Sequence, residues 1–198
     1  MPPGYVPRFT FALIGVCVLI ALYTRFGAHF DALRPLLITN YVDAGLPEVR
    51  SGQWWRLVSP ILIHFGILHI TLNMLWLWQL GQIIEYTRGV RVLATLVLAS
   101  GVASNLAEFY VSGPLFGGMS GVIFALLGYL WVQGRFNPSF PVLLNPALVT
   151  MVMVWFVICW SGILEWFGIH IANFAHTVGL VSGAALGFLA AKTGTRII

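Results

Sequence analysis

The feature that most limits how this chain can fold is how far it runs without a charge. Residues 9–24, 57–84, 109–134, 136–164 and 166–191 contain no Asp, Glu, Lys or Arg, and a further apolar stretch at 92–107 precedes Glu108. A helix needs roughly 20 apolar residues to cross a hydrocarbon core of about 30 Å. Five stretches reach or approach that length, and a snorkelling Arg25 can complete the first. With only 8% charged residues, against about 25% in soluble domains, lipid is the expected solvent. The chain is therefore expected to be an all-α polytopic membrane protein. Its six spans are predicted near 9–27, 61–86, 90–111, 118–135, 147–168 and 172–193.

Residues 1–198 read as one membrane domain without repeats or low-complexity runs. The first apolar segment lacks a clear small-x-small cleavage site, so it reads as a span and not a signal peptide. The one long loop, 28–60, holds Pro35, Gly45, Pro47 and Gly52 followed by Trp54, Trp55 and Arg56. That composition breaks helices and suits the headgroup zone, so the loop is expected at the outer interface. The short apolar loop 112–117 is expected to dip into the protein. With both termini cytoplasmic, the inner segments hold Arg8, Arg88, Arg91, Arg135, Lys192 and Arg196. The opposing Arg34, Arg50 and Arg56 lie in the long loop beside Asp31, Asp43 and Glu48. The distribution of positive charge thus favours both ends inside. The net charge of +4 is spread over span ends and gives no nucleic-acid face. Cys17 and Cys159 fall within spans as small buried hydrophobes.

Strongly polar groups inside spans are costly and mark function by default. The second span carries His64, His69 and Asn73, the fourth opens with Gly118-Met119-Ser120-Gly121, and the sixth carries Ala175-His176. Ser120 lies 15 residues before Arg135 and His176 lies 16 before Lys192. Each therefore stands about 23 Å above the inner charge layer. His69 and Asn73, measured from Glu85, reach roughly 18–24 Å. Four polar groups at one depth beneath the outer surface suggest a single site.

Close approach is encoded as well. Ser120, Gly121, Phe124, Ala125 and Gly128 share one face of the fourth span; His176, Gly179, Gly183 and Gly187 share one of the sixth. The glycine spacing lets another backbone come near. If these faces meet, Ser120 and His176 form the hydrogen-bonded pair that an activated serine needs. None of the six carboxylates is expected beside His176 on a facing helix, so a dyad is favoured over a triad. Free N–H groups at the start of the fourth helix, the amide of Asn73 and a ring nitrogen of His69 are candidate oxyanion donors.

At these residues the sequence resembles the rhomboid intramembrane protease family. The matching elements are His64-x-x-x-x-His69-x-x-x-Asn73, Gly118-x-Ser120-Gly121 and Ala175-His176-x-x-Gly179. Trp55-Arg56 and Glu85-x-x-x-Gly89 fit as well. The likeness covers about residues 54–190, and its motifs are strong only in combination. It implies a six-helix rhomboid-like bundle with Ser120 as nucleophile and His176 as general base. His69, Asn73 and the Ser120 N–H would form the oxyanion hole, and His64, Gly118, Gly121, Phe124 and Gly179 would support the site. Many rhomboids carry Tyr where this chain has Phe124, which keeps the aromatic face and loses the hydroxyl. The resemblance further implies cleavage of transmembrane segments in other membrane proteins, without metal or cofactor, by a compact member of a bacterial inner membrane.

Other readings fare less well. The sequence lacks a His-Glu-x-x-His zinc motif and has no Asp in any span, which removes metallo- and aspartyl proteases. A transporter would be expected to show repeats or paired broken helices. The serious alternative is a non-catalytic rhomboid-like protein that binds membrane clients; such proteins would be expected to lack Ser120 or His176. Of the remaining polar residues, Glu85 with Arg88 is expected to pin a helix end, and Glu108 and Glu165 to be solvated or loop-bonded. His64 is expected nearer the interface. The fifth span, rich in Val, Trp and Phe and poor in Gly, is the expected gate for substrate.

Overall fold

The computed structural model describes residues 4–42, 44–168 and 170–193, so Asp43 and Arg196 lie outside the described residues. Helices α1 (Arg8–Tyr23), α4 (Ile67–Arg88), α5 (Val90–Ser112), α6 (Ser120–Phe136), α7 (Pro146–Trp160) and α9 (Asn173–Thr193) account for the six apolar stretches. The shorter α2 (Phe30–Leu33), α3 (Pro47–Arg50) and α8 (Ile163–Trp166) lie between them, and no strand occurs among the described residues. By length and composition α4, α5 and α9 can each cross a membrane, while α1 and α7 are shorter apolar helices.

Burial ranks the helices around the site. Twelve of the 17 residues of α6 are buried, which makes it the central helix. Around it pack α4, α5 and α9, closing a core that includes Leu77, Leu93, Leu96, Val122, Leu126 and Tyr129. Only Val152 and Cys159 of the 15 residues of α7 are buried, so that helix presents most of its surface outward. Its start follows ordinary capping chemistry: the Asn145 side chain accepts from Ala147 N–H at 2.9 Å, and Pro146 occupies a first-turn position where no N–H is needed.

Several helix ends differ from the expected ones. The helix expected from residue 61 starts at Ile67, because Ser59–Leu62 is a 3₁₀ turn, Ile63 is extended and Gly66 takes φ 94°. Only glycine enters that conformation without strain, and apolar composition alone does not report it. His64 therefore precedes the helix and is fully buried within the protein. At the first span, the helix stops at Tyr23 and the chain reverses through Arg25 and Phe26 at φ 50° and 54°. The fifth stretch is broken by Gly162, which divides α7 from α8.

Buried polar groups stitch the helices together. Glu85, 6% exposed, accepts from Phe9 N–H, Thr10 N–H and Thr10 Oγ1 at 3.0, 2.8 and 2.7 Å. It caps the start of α1, where free N–H groups favour a carboxylate, instead of pairing with Arg88 at its own helix end. Arg88 donates to Gln133, whose amide donates to Gly187 O at 2.6 Å. In the long loop, Arg56 is buried and donates to the carbonyls of Arg34 and Leu37, both at 2.7 Å. Trp54 and Trp55 beside it stay exposed, an arrangement suited to a headgroup layer.

Candidate active site

Ser120 is the first residue of α6, and the chain reaches it through a tightly held turn. Gly118 N–H donates to Pro60 O at 3.0 Å, and a Cβ on Gly117 would lie 2.7 Å from Ile63 Cβ. The loop before α6 thus presses into the protein, with Phe116 buried. Gly118 has φ 131°, and a Cβ there would fall 2.8 Å from His69 Nε2. Both backbone conformation and space demand glycine at this position.

His176 lies on the first turns of α9, which runs against α6 at backbone contact. A methyl on Gly179 would overlap the Gly121 carbonyl, and one on Gly183 would overlap that of Ala125. The expected glycine face is therefore the face that packs. Near the start of α9, His176 Nε2 lies 2.8 Å from Ser120 Oγ. The Phe124 ring stands 4.8 Å from the imidazole, centroid to centroid, and supports it from one side. His176 is buried while Ser120 is half-buried, so the hydroxyl is the more accessible of the two.

The donors on α4 are themselves held. Phe65 N–H donates to His69 Nδ1 at 3.2 Å; this makes Nδ1 the acceptor and leaves the ring proton on Nε2, toward Gly118 and Ser120. Asn73, 5% exposed, donates one amide N–H to His69 O at 2.9 Å and keeps its second N–H. The Ser120 N–H, in the first turn of α6, has no intrahelical partner. His64 is at one remove: its ring lies 5.2 Å from that of His69, and its Nδ1 is 3.1 Å from Leu62 O. Ser120, His176, His69, Gly118 and Phe124 thus come together, Asn73 lies one turn along α4 from His69, and the His64 ring lies beside that of His69.

One expectation fails. Glu108 is neither solvated nor loop-bonded: it is 2% exposed and accepts from Ala175 N–H at 3.0 Å. The stretch around it continues as α5 to Ser112, which carries the carboxylate to the head of α9. Its interruption of an apolar run was the available signal. Glu165 is exposed, as expected. Nδ1 of His176 has no hydrogen-bond partner among the described residues, so no carboxylate there completes a triad with it. No group of three or more His, Cys, Asp or Glu among the described residues is arranged to hold a metal ion.

A family model described as a Rhomboid domain matches residues 51–193. Proteins named Rhomboid protease GlpG from Salmonella paratyphi A, Salmonella choleraesuis and Salmonella newport are each 38% identical to it over 141 residues. The match takes in 71% of this chain and 50% of each relative. The chain spans about half the length of the curated relatives it matches.

Proposed function

This chain belongs to the rhomboid family, and we propose that it is an intramembrane serine protease that hydrolyses peptide bonds in or near transmembrane segments of other membrane proteins. The 2.8 Å approach of His176 Nε2 to Ser120 Oγ carries this reading. A pair at that distance, beside a held imidazole N–H and a free helix-start N–H, has the parts acyl transfer requires.

Ser120 Oγ attacks the scissile carbonyl carbon while His176 Nε2 takes its proton. The tetrahedral oxyanion is met by the N–H of Ser120, by Nε2–H of His69 and by the second amide N–H of Asn73. Collapse breaks the C–N bond, and His176 returns the proton to the leaving amine. Water, deprotonated by His176, then attacks the acyl-Ser120 ester and releases the second product. No step calls for metal or cofactor.

The same reading makes residues 1–198 one domain crossing the bilayer six times, with both termini cytoplasmic, in a bacterial inner membrane. The run of basic residues at alternate span ends supports that orientation. Outward exposure of α7 supports entry of substrate on its side.

The test is cleavage of reporters bearing a single transmembrane segment. The native chain is expected to cut, and Ser120→Ala and His176→Ala each to lose cleavage by at least about 10³-fold, the scale on which triad members act elsewhere. Labelling of Ser120 by a fluorophosphonate is expected in the native chain alone. Several uncut reporters together with no labelling would favour client binding instead.

A further inference from the structure

The head of α9 needs an acceptor that its own sequence does not provide. The residue before the helix is Ala172, which has no side-chain oxygen to receive the free N–H groups of the first turn. One of them, Ala175 N–H, is buried and meets the Glu108 carboxylate from α5 instead, at 3.0 Å. Glu108 is almost fully buried, and the single ion pair among the described residues joins Arg34 and Asp31, so no charged partner explains its place. Beside the helix head Glu108, Ser112, Trp160, Glu165, Asn173 and Phe174 are among the residues lining an open cleft of about 360 Å³.

Ala175 is the residue immediately before His176. The imidazole is fixed by Ser120 Oγ at Nε2 and by the Phe124 ring on one side, while Nδ1 has no partner among the described residues. No group among the described residues therefore orients the ring from its far nitrogen. We propose that Glu108 is a positioning residue for His176. It acts through the backbone, one residue upstream, where the carboxylate of a triad would act on the ring itself. By capping Ala175 N–H it fixes the first turn of α9 against α5 and so sets the height and rotation at which His176 meets Ser120. The proposal rests on the protease reading above and adds to it a residue that touches neither substrate nor reacting atom.

Three variants test it: Glu108→Leu removes the acceptor, Glu108→Gln keeps one, and Glu108→Leu with Ala172→Ser supplies a local cap in its place. Cleavage of a transmembrane reporter gives kcat and KM separately, and fluorophosphonate labelling gives Ser120 reactivity without any peptide substrate. For E108L, kcat and labelling rate are expected to fall together, by up to about 100-fold, the cost of a misplacement on the order of 1 Å, with KM within about twofold of the native value. E108Q and the E108L/A172S pair are each expected to recover most of the lost kcat. A native kcat in E108L overturns the proposal, as does a folded E108Q or double variant as slow as E108L. If E108L does not fold, the other two decide: active variants sustain the proposal and folded, slow ones overturn it. A native chain that neither cuts nor labels would instead remove the protease reading.

Discussion

Each group proposed to act with Ser120 is held by a contact of its own. His69 is oriented by Phe65 N–H, the Asn73 amide by the His69 carbonyl, and the His176 ring by Phe124. Such groups do not need to reorganise when charge develops, which is where electrostatic catalysis gains most. We therefore expect His69→Ala to lower kcat by about 10²–10³-fold with little change in KM, read from steady-state reporter cleavage. Asn73→Ala should act in the same direction. Phe124→Leu removes the ring face but keeps bulk; an aromatic contact of about 0.5–1.5 kcal/mol corresponds to a loss of roughly two- to tenfold in kcat. Farther out, burial alone would raise the Glu48 carboxyl. Hydrogen bonds from Thr39 Oγ1 and Asn40 N–H, with the Arg56 charge, outweigh it and hold the group below the ordinary glutamate range. A carboxyl depressed in the folded state stabilises this clasp above its unfolded value and loses that effect as pH falls through the folded one. Amide-exchange protection at Asn40 should thus drop between about pH 5 and about pH 3, and Glu48→Gln should remove the pH dependence.

Among the elements, α6 and α9 make the tightest pairing, because glycines on one lie against carbonyls of the other. Adding a methyl at Gly183 would drive it into the Ala125 carbonyl. Gly183→Ala should therefore separate the helices, lower stability by about 1–3 kcal/mol and cut reporter cleavage. Gly15→Ala meets open space on α1 and should leave both unchanged or slightly improve stability; unfolding in denaturing detergent distinguishes them. This pairing was legible in the sequence, since residues at three- and four-residue spacing share a face whatever their surroundings. The shared depth of Ser120 and His176 followed from helical rise in the same way. The start of α4 was not legible: residues 61–66 are as apolar as the helix they precede, and only the backbone reveals the turn at Gly66. Glu108 was misread because its partner is an N–H on a helix 67 residues away, and backbone groups leave no mark in side-chain patterns.

At the scale of the whole chain, polar stitches hold the ends of the bundle while its centre is filled by apolar packing. Glu85 ties α1 to α4 through three bonds. Bonds to a charged group are worth about 1.5–3 kcal/mol each at most, so Glu85→Leu should lower the thermal midpoint measurably while leaving the KM of the remaining folded protein near native. The long loop is held in the same way by the buried Arg56. Against this frame α7 is only lightly embedded, with nine of its 15 residues exposed and two fully buried. The consequence is a division of labour between stiffness and give. Hydroxyl and imidazole ride on two rods fused along their length, whereas the loosest wall is a third that carries neither. On the protease reading, a bulky guest entering on that side would have to loosen the Phe156 edge from Phe124 and two hydrogen bonds to the head of α9, while the glycine seam between α6 and α9 stays shut, as a door can swing on its hinge without moving the bench inside the room.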